Sequence, residues 1–175
     1  MEASESSSHT ITETICGTTV STVAVDGKDR SLALEIVDKC LYAAFASINP
    51  DGTPYCIFVC PVVLDGYVYF HGTRTGQKVT NMLRDHRVCL TASGESELRP
   101  KDYTLDFAST IVNGTATVVE DEKEKVRVLH AICRKYAPGN MAMFAEAIAN
   151  SLADTGIYRI EVGTITYKTH KAPSR

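Results

Sequence analysis

Apolar, β-favouring runs bounded by turn residues predict strands over much of the chain, and a few stretches show a helical period instead. The first helix is expected to open near Asp29 or Ser31, with Leu32, Ile36, Val37 and Cys40 as its apolar face. An apolar stretch, Leu41 to Ile48, runs into the turn Asn49-Pro50-Asp51-Gly52. Pro54 to Leu64 then predicts one long strand, Asp65-Gly66 a hairpin turn, and Tyr67 to His71 the return strand. A short helix follows, with Val79, Met82 and Leu83 on one face. Val88 to Ala92 predicts a strand, polar Ser93 to Asp102 a loop, and residues 105–119 a long strand bent at Gly114. Glu120-Asp121 opens a helix carrying Val126, Leu129, Ile132, Cys133 and Tyr136, which Pro138-Gly139 stops. Met141, Phe144, Ile148 and Leu152 predict one more helix, and Ile157 to about Tyr167 the last strand.

Six strands joined mostly by tight turns, with three or four helices outside them, predict a small antiparallel barrel with peripheral helices. No βαβ alternation and no dinucleotide glycine fingerprint occurs, which argues against a doubly wound nucleotide fold. With 175 residues and a 44% apolar share, the chain suits a single domain with one core, expected over residues 13–175. The acidic, Ser-rich start, residues 1–12, reads as a flexible tail and lacks the basic and apolar segments of a signal peptide. A net charge of −3 gives no electrostatic drive toward nucleic acid, and no run reaches the roughly 18 apolar residues of a membrane helix. The six cysteines form no C-x-x-C pair and mostly stand among apolar neighbours; small buried thiols in a reducing cytoplasm are expected. The five histidines are scattered, so no metal site is expected.

The chemistry concentrates in Tyr69-Phe70-His71-Gly72-Thr73-Arg74-Thr75-Gly76-Gln77-Lys78. A strand ends, a loop with two glycines follows, and a helix begins. Glycines let backbone amides approach an anion, and a helix N-terminus adds unpaired N–H groups and partial positive charge. Arg74 and Lys78 supply full charges, and Thr73 and Thr75 supply donors. That inventory suits one phosphate monoester, and it also suits an ordinary polar loop that caps a helix.

The run Asp-Gly-x-Pro-Tyr, about ten strand residues, Asp-Gly, Tyr-Val-Tyr-Phe-His-Gly, Gly-Gln-Lys and Asn-Met-Leu-Arg-Asp-His-Arg-Val-Cys-Leu resembles the pyridoxamine 5'-phosphate oxidase-like FMN-binding split barrels. Within them it is most similar to the 5-nitroimidazole-resistance-like branch. The likeness continues through Phe107-Ala108-Ser109-Thr110-Ile111-Val112-Asn113-Gly114 and ends in Ile157-Tyr158-Arg159-Ile160-Glu161-Val162. The resemblance implies a six-stranded antiparallel split β-barrel that is a homodimer, with FMN at the subunit interface. It implies that Lys78 holds the phosphate, with His71, Gly72 and Thr73 lining the preceding strand end and Arg74 and Gln77 beside it. Ile57, Phe58, Val59 and Cys60 match the strand whose backbone runs along the flavin ring. Ser109 and Thr110 match the segment brought by the other subunit. His71 is the residue the resemblance places beside cofactor or substrate, where it could donate a proton. Three positions depart from the pattern: Gln77 replaces a basic residue, Phe58 a frequent Pro, and Ala108 a frequent Arg.

The function implied is an FMN-dependent oxidoreductase acting on a small organic acceptor such as a nitroimidazole. Pyridoxamine 5'-phosphate oxidation itself fits less well, because the chain lacks Trp and its C-terminal stretch lacks an Arg-rich motif. A flavin-binding or sensor module without turnover, or the same barrel holding haem or a deazaflavin, is the alternative; in the haem case His71 could ligate iron.

Overall fold

A computed structural model describes residues 10–15, 18–24 and 27–171, with side chains from Arg30 onward. The first hairpin joins β1 (Thr10–Ile15) to β2 (Thr18–Ala24), and helix α1 (Gly27–Lys39) follows. Next come β3 (Ala43–Ile48), β4 (Pro54–Val59), β5 (Val62–Leu64), β6 (Tyr67–Thr73) and α2 (Gln77–Arg84). Strands β7 (Arg87–Arg99) and β8 (Thr104–Val118) lead to α3 (Glu122–Tyr136), α4 (Phe144–Ser151) and β9 (Thr155–His170). The boundary expected after residue 12 cuts through β1, whose Thr10, Ile11 and Thr12 pair with Val23, Thr22 and Ser21; residues 1–9 lie outside the described residues.

All pairings are antiparallel, and seven strands run in the order β1-β2-β9-β8-β7-β3-β4, with β6 attached to β9 and β5 to β6. The expected count of six is therefore corrected to nine among the described residues. The β1–β2 hairpin adds two strands. The third comes from the segment Pro54 to Leu64, which breaks at Cys60-Pro61. Proline has no N–H to give a ladder, and after it the chain leaves β3 to pair with β6. The circuit β4–β3–β7–β8–β9–β6–β5 is thus closed only by the covalent Cys60-Pro61 step, and the barrel is split there.

The Asp65-Gly66 hairpin is as predicted, with both residues at positive φ (52° and 79°), the geometry that matches strand twist. Gly114 sits at a register shift between β8 and β9, where a Cβ would lie 2.0 Å from the Glu161 carbonyl oxygen. The expected polar loop at Ser93 to Asp102 is corrected: β7 continues to Arg99, through a bulge between Ser93 and Ser96, and only Pro100–Asp102 forms a 3-10 turn. Beyond the bulge, β7 pairs with β8 alone and its residues are mostly exposed, so an exposed two-stranded ribbon has the composition of a loop.

Two cores flank the β6–β9 ladder. Val68, Phe70, Tyr158 and Ile160 face the first, with Phe45, Leu90 and Val112 from the sheet, Ala33 and Val37 from α1, and Met82 from α2. The alternate residues Tyr69 and Ile157 face the second, against Val128, Leu129 and Ile132 of α3. Burying each large apolar side chain contributes about 1.5–3 kcal/mol, so the end of β6 is anchored from both sides. Helix α3 starts where predicted: Asp121 caps it by accepting from the Glu124 N–H at 2.7 Å.

Cys40 is buried, Cys89 and Cys133 are half-buried, and Cys56 and Cys60 are exposed, so the expectation of mostly buried thiols fails on the edge strand β4 and just past its end; Cys16 lies outside the described residues. No group of three or more His, Cys, Asp or Glu side chains suited to a metal occurs among the described residues. No helix among them is long and apolar enough to cross a membrane.

Candidate functional site

The chain places its anion-binding inventory at the seam of the barrel. Residues Phe70 to Thr73 of β6 pair with β9 on one edge, while β5 ends opposite Tyr67 to Tyr69 and leaves the other edge without a strand. Strand β4 likewise pairs only with β3. Backbone N–H and C=O groups on these two edges are therefore open to water or a ligand. Helix α2 begins at the same seam, because Gly76 turns the chain at φ 106°, a conformation that favours glycine.

Lys78, in the first turn of α2, folds back over the strand end. Its Nζ donates to the Thr73 carbonyl at 3.1 Å and to Thr73 Oγ1 at 2.9 Å, and lies 5.3 Å from the centre of the Tyr158 ring. Thr73 Oγ1 in turn donates to the Thr75 carbonyl at 2.8 Å. The stem of Lys78 crosses Gly72, where a Cβ would come within 2.9 Å of Cε. No carboxylate pairs with this ammonium among the described residues, and burial lowers its pKa. No side chain caps α2, and its first turn carries no acidic residue. A cation compensated only by neutral acceptors, beside an uncapped helix N-terminus, fits a phosphate.

The other predicted residues divide. Arg74 is exposed and spends one N–H on the Ala153 carbonyl at 2.7 Å, which ties the loop to the start of β9. Gln77 donates to Asn49 Oδ1 at 3.1 Å and Asn81 Oδ1 at 2.8 Å, so its amide nitrogen belongs to a scaffold network. That network runs through buried Asn81 to Ser47 Oγ and fastens the β3–β4 turn to α2. His71 keeps an exposed surface, yet the protein around its ring desolvates it and lowers its pKa.

On β4, Val59 is buried, Ile57 is half-buried and Phe58 points outward, as does Cys60 just past the strand end; Phe58 is 72% exposed and stacks edge-on with Tyr42. Ser109 and Thr110 sit in β8 between β7 and β9, and Thr110 Oγ1 donates to the Thr166 carbonyl. No hydrogen bond of theirs reaches the α2 loop of the same chain among the described residues. A cleft of about 660 Å³ under α1, lined by Leu32, Ile36, Tyr42 and Ala108 among others, contains none of the predicted site residues. It lacks the uncompensated cation of the seam, so the seam is the stronger candidate.

Sequence reasoning missed Tyr158 and Gly156. Tyr158 donates its hydroxyl proton to the Thr73 carbonyl, and burial raises its pKa, offset in part by the Arg74 guanidinium. The alternation in Thr155-Gly156-Ile157-Tyr158 was the available signal, because a period of two puts Gly156 and Tyr158 on one face of β9.

An antiparallel barrel, split along one seam and carrying there a strand–loop–helix with an ammonium unpaired by any carboxylate among the described residues, defines the class. The sequence profile of the family described as pyridoxamine 5'-phosphate oxidase matches residues 29–169, and the chain belongs to that family. No curated protein matches it. Among solved structures, it resembles a putative 5-nitroimidazole antibiotic resistance protein from Bacteroides thetaiotaomicron, with 17% identity, 97% of this chain and 96% of that chain covered, and a TM-score of 0.67. A flavocytochrome from Azotobacter vinelandii shares 19% identity over 86% of this chain and 70% of its own, with a TM-score of 0.71. An FAD- and haem-binding protein from Mycobacterium smegmatis shares 16% identity over 86% and 75%, with a TM-score of 0.70. At such identities these likenesses establish the shared fold.

Proposed function

We propose that this protein binds FMN at the seam and acts as a cytoplasmic, homodimeric oxidoreductase on a small organic acceptor such as a nitroimidazole. The observation that carries the reading is the Lys78 ammonium, held by the Thr73 carbonyl and hydroxyl and left without a carboxylate beside the uncapped start of α2. One such cation and one helix N-terminus suit a single phosphate monoester, which favours FMN over FAD. The names of the neighbours from Azotobacter and Mycobacterium, a flavocytochrome and an FAD- and haem-binding protein, support a flavin-type ligand.

Lys78 and the α2 amides would hold the phosphate, with Arg74 adding charge from the loop. The free edge of β4 from Ile57 to Val59, with Cys60 just beyond it, offers backbone donors and acceptors to the polar edge of a flavin. Bound flavin supplies the hydride or electron transfer. His71, with its lowered pKa, is neutral at pH 7 and serves there as a hydrogen-bonding group; proton donation by its cationic form belongs to more acid conditions.

The outer face of the β4–β3–β7–β8 sheet supports the dimer. Phe58, Ala44, Thr91 and Ile111 form one cross-strand row there, and Cys56, Ala46, Cys89 and Asn113 the next. The buried faces of α1 and α2 pack into the barrel core instead. A second copy would cover these two rows, beside which the exposed Arg87 stands on the same face, and would bring its Ser109 and the Thr110 backbone to the cofactor, the Thr110 side chain being buried.

The test is the visible spectrum of the purified protein after addition of FMN and desalting, with FAD, haem and a deazaflavin in parallel. Retained flavin bands with FMN are expected. Retention of haem alone, or of nothing, would overturn the cofactor reading. Retained FMN without turnover of reduced nicotinamide and several nitroaromatic acceptors would leave a flavin-binding module, and a monomer by light scattering would remove the shared site.

A further inference from the structure

Gly72 of β6 and Gly156 of β9 face each other as a direct cross-strand pair. Each leaves a space that one particular side chain occupies. The Lys78 stem lies over Gly72, and a Cβ there would stand 2.9 Å from Cε and 3.1 Å from Nζ. The Tyr158 hydroxyl lies over Gly156, and a Cβ there would stand 2.5 Å from the hydroxyl oxygen and 3.2 Å from the Thr73 carbonyl oxygen. The two side chains converge on one atom, the Thr73 carbonyl oxygen, which accepts from both. The ring of Tyr158 also carries the Lys78 ammonium on its face, 5.3 Å from the centre.

Tyr158 is itself fixed. Its residue exposure is 1%, and its ring stacks on Phe70 with centroids 5.1 Å apart. A flexible lysine thus rests against a rigid aromatic wall, across a strip of sheet with no side chains. An ammonium has three N–H groups. Two go to Thr73, and the third has no protein acceptor among the described residues.

We propose that Tyr158 is a positioning residue for Lys78: its ring and hydroxyl, with the Gly72–Gly156 pair, hold the ammonium so that one N–H is presented to the ligand's phosphate. This rests on the reading of the seam as an FMN site and names a residue that acts through Lys78. It separates phosphate recognition from ring recognition, because Tyr158 touches the phosphate end of the site only.

The experiment compares FMN with riboflavin, which lacks the phosphate, by fluorescence titration of the full chain. The proteins are wild type, Tyr158→Phe and Gly156→Ala. Tyr158→Phe keeps the ring and removes the hydroxyl. Gly156→Ala keeps Tyr158 but drives its hydroxyl off the Thr73 carbonyl. Each is expected to weaken FMN about 3- to 10-fold, the range for one lost hydrogen bond, with riboflavin affinity unchanged. Circular dichroism melts identify any variant that fails to fold, and the other then carries the comparison. Unchanged FMN binding in a folded variant would overturn the proposal. So would an equal loss for both ligands, which marks Tyr158 as a general support of the barrel. Wild-type protein that fails to bind FMN, or binds it no better than riboflavin, would remove the phosphate site and this inference with it, and that outcome is visible before any variant is made.

Discussion

Lys78→Met separates what the seam does for a ligand from what it does for the fold. Methionine keeps an unbranched stem over Gly72 and removes only the ammonium. A hydrogen bond to a charged group contributes about 1.5–3 kcal/mol. Lys78 is half-exposed, and solvent screening places the expectation at the low end, about 1.5 kcal/mol, or roughly tenfold in Kd. FMN should therefore bind about tenfold more weakly to the variant, with riboflavin unaffected. The wild-type preference for FMN should also shrink as salt is raised. The effect on the unliganded protein runs the other way. Burial lowers the Lys78 pKa, so the folded state binds this proton less tightly than the unfolded chain. Where both states carry the proton, the fold holds the charge against desolvation, and that burden is relieved as pH rises through the folded value toward 10.5. Lys78→Met without ligand should then melt no lower than wild type at pH 7. The assays are paired titrations with FMN and riboflavin, and thermal melts without ligand. A variant that melts well below wild type, or that loses riboflavin as strongly as FMN, would refute the assignment of Lys78 to an anion.

Three further outcomes test the frame around the site. Gly114→Ala would push a Cβ to within 2.0 Å of a backbone oxygen in β9, and neither strand can yield without breaking its ladder; a loss of about 2–4 kcal/mol should lower the urea midpoint by about 1 M or more, and a shift under roughly 0.3 M would contradict the bulge. Asp121→Ala removes the α3 cap and should cost about 1 kcal/mol, read as a drop in Tm of about 2–4 °C for a chain of this size, whereas Asp121→Asn should retain most of it. His71 is desolvated, so its folded pKa lies below 6.5; it makes no demand on the fold above the unfolded value, and stability is lost as pH falls through 6.5 toward the folded value. His71→Gln should flatten that acid limb of the pH–stability profile, and an unchanged limb would show that another group governs it.

Much of this was legible in the chain because local chemistry and tertiary context agree. Asp65-Gly66 requires positive φ at both positions and obtains it. Gly114 was readable as a bend because the long β segment around it has no other glycine. Asp121 and Pro138-Gly139 bracket α3 with an N-cap and a stop. The misses come from tertiary context. Pro54 to Leu64 reads as one strand, since nothing local shows that its two halves pair with different partners. Ser96 to Arg99 reads as loop, since an exposed ribbon has no buried face to impose alternation. At the site, Gly72, Thr73 and Lys78 could be grouped because they fall within one strand–loop–helix. Tyr158 enters the same cluster from 85 residues away, and only the β6–β9 register brings it there. Gln77, expected beside the phosphate, is held instead by Asn49 and Asn81, whose placement depends on how α2 docks on the β3–β4 turn.

The seam explains why binding chemistry and fold stability are held by different residues. Where β6 lies between β5 and β9 it is fully paired, and its side chains fill two cores. Three residues later β5 has ended, one edge is free, and the side chains shrink to Gly72 and Thr73. Chain continuity at Cys60-Pro61 keeps β4 close without hydrogen-bonding it to β6, and the Lys135 ammonium and Tyr136 hydroxyl of α3 fix that step by donating to the Pro61 carbonyl at 2.7 and 2.9 Å. Closing the barrel by a ladder between β4 and β6 would satisfy those backbone groups and erase the opening. The partly desolvated Lys78 is unfavourable to the empty fold and is relieved by a ligand that carries negative charge, while the open edges and the start of α2 exchange water for that ligand. A ligand bound there would therefore raise the melting temperature, with relief of the Lys78 charge adding to its other contacts. The increment should be larger for FMN than for riboflavin at equal saturation, and Lys78→Met should reduce the difference, the α2 amides and Arg74 keeping the remainder. Equal increments for the two ligands in wild type would show that the phosphate end of the seam is not relieved by binding.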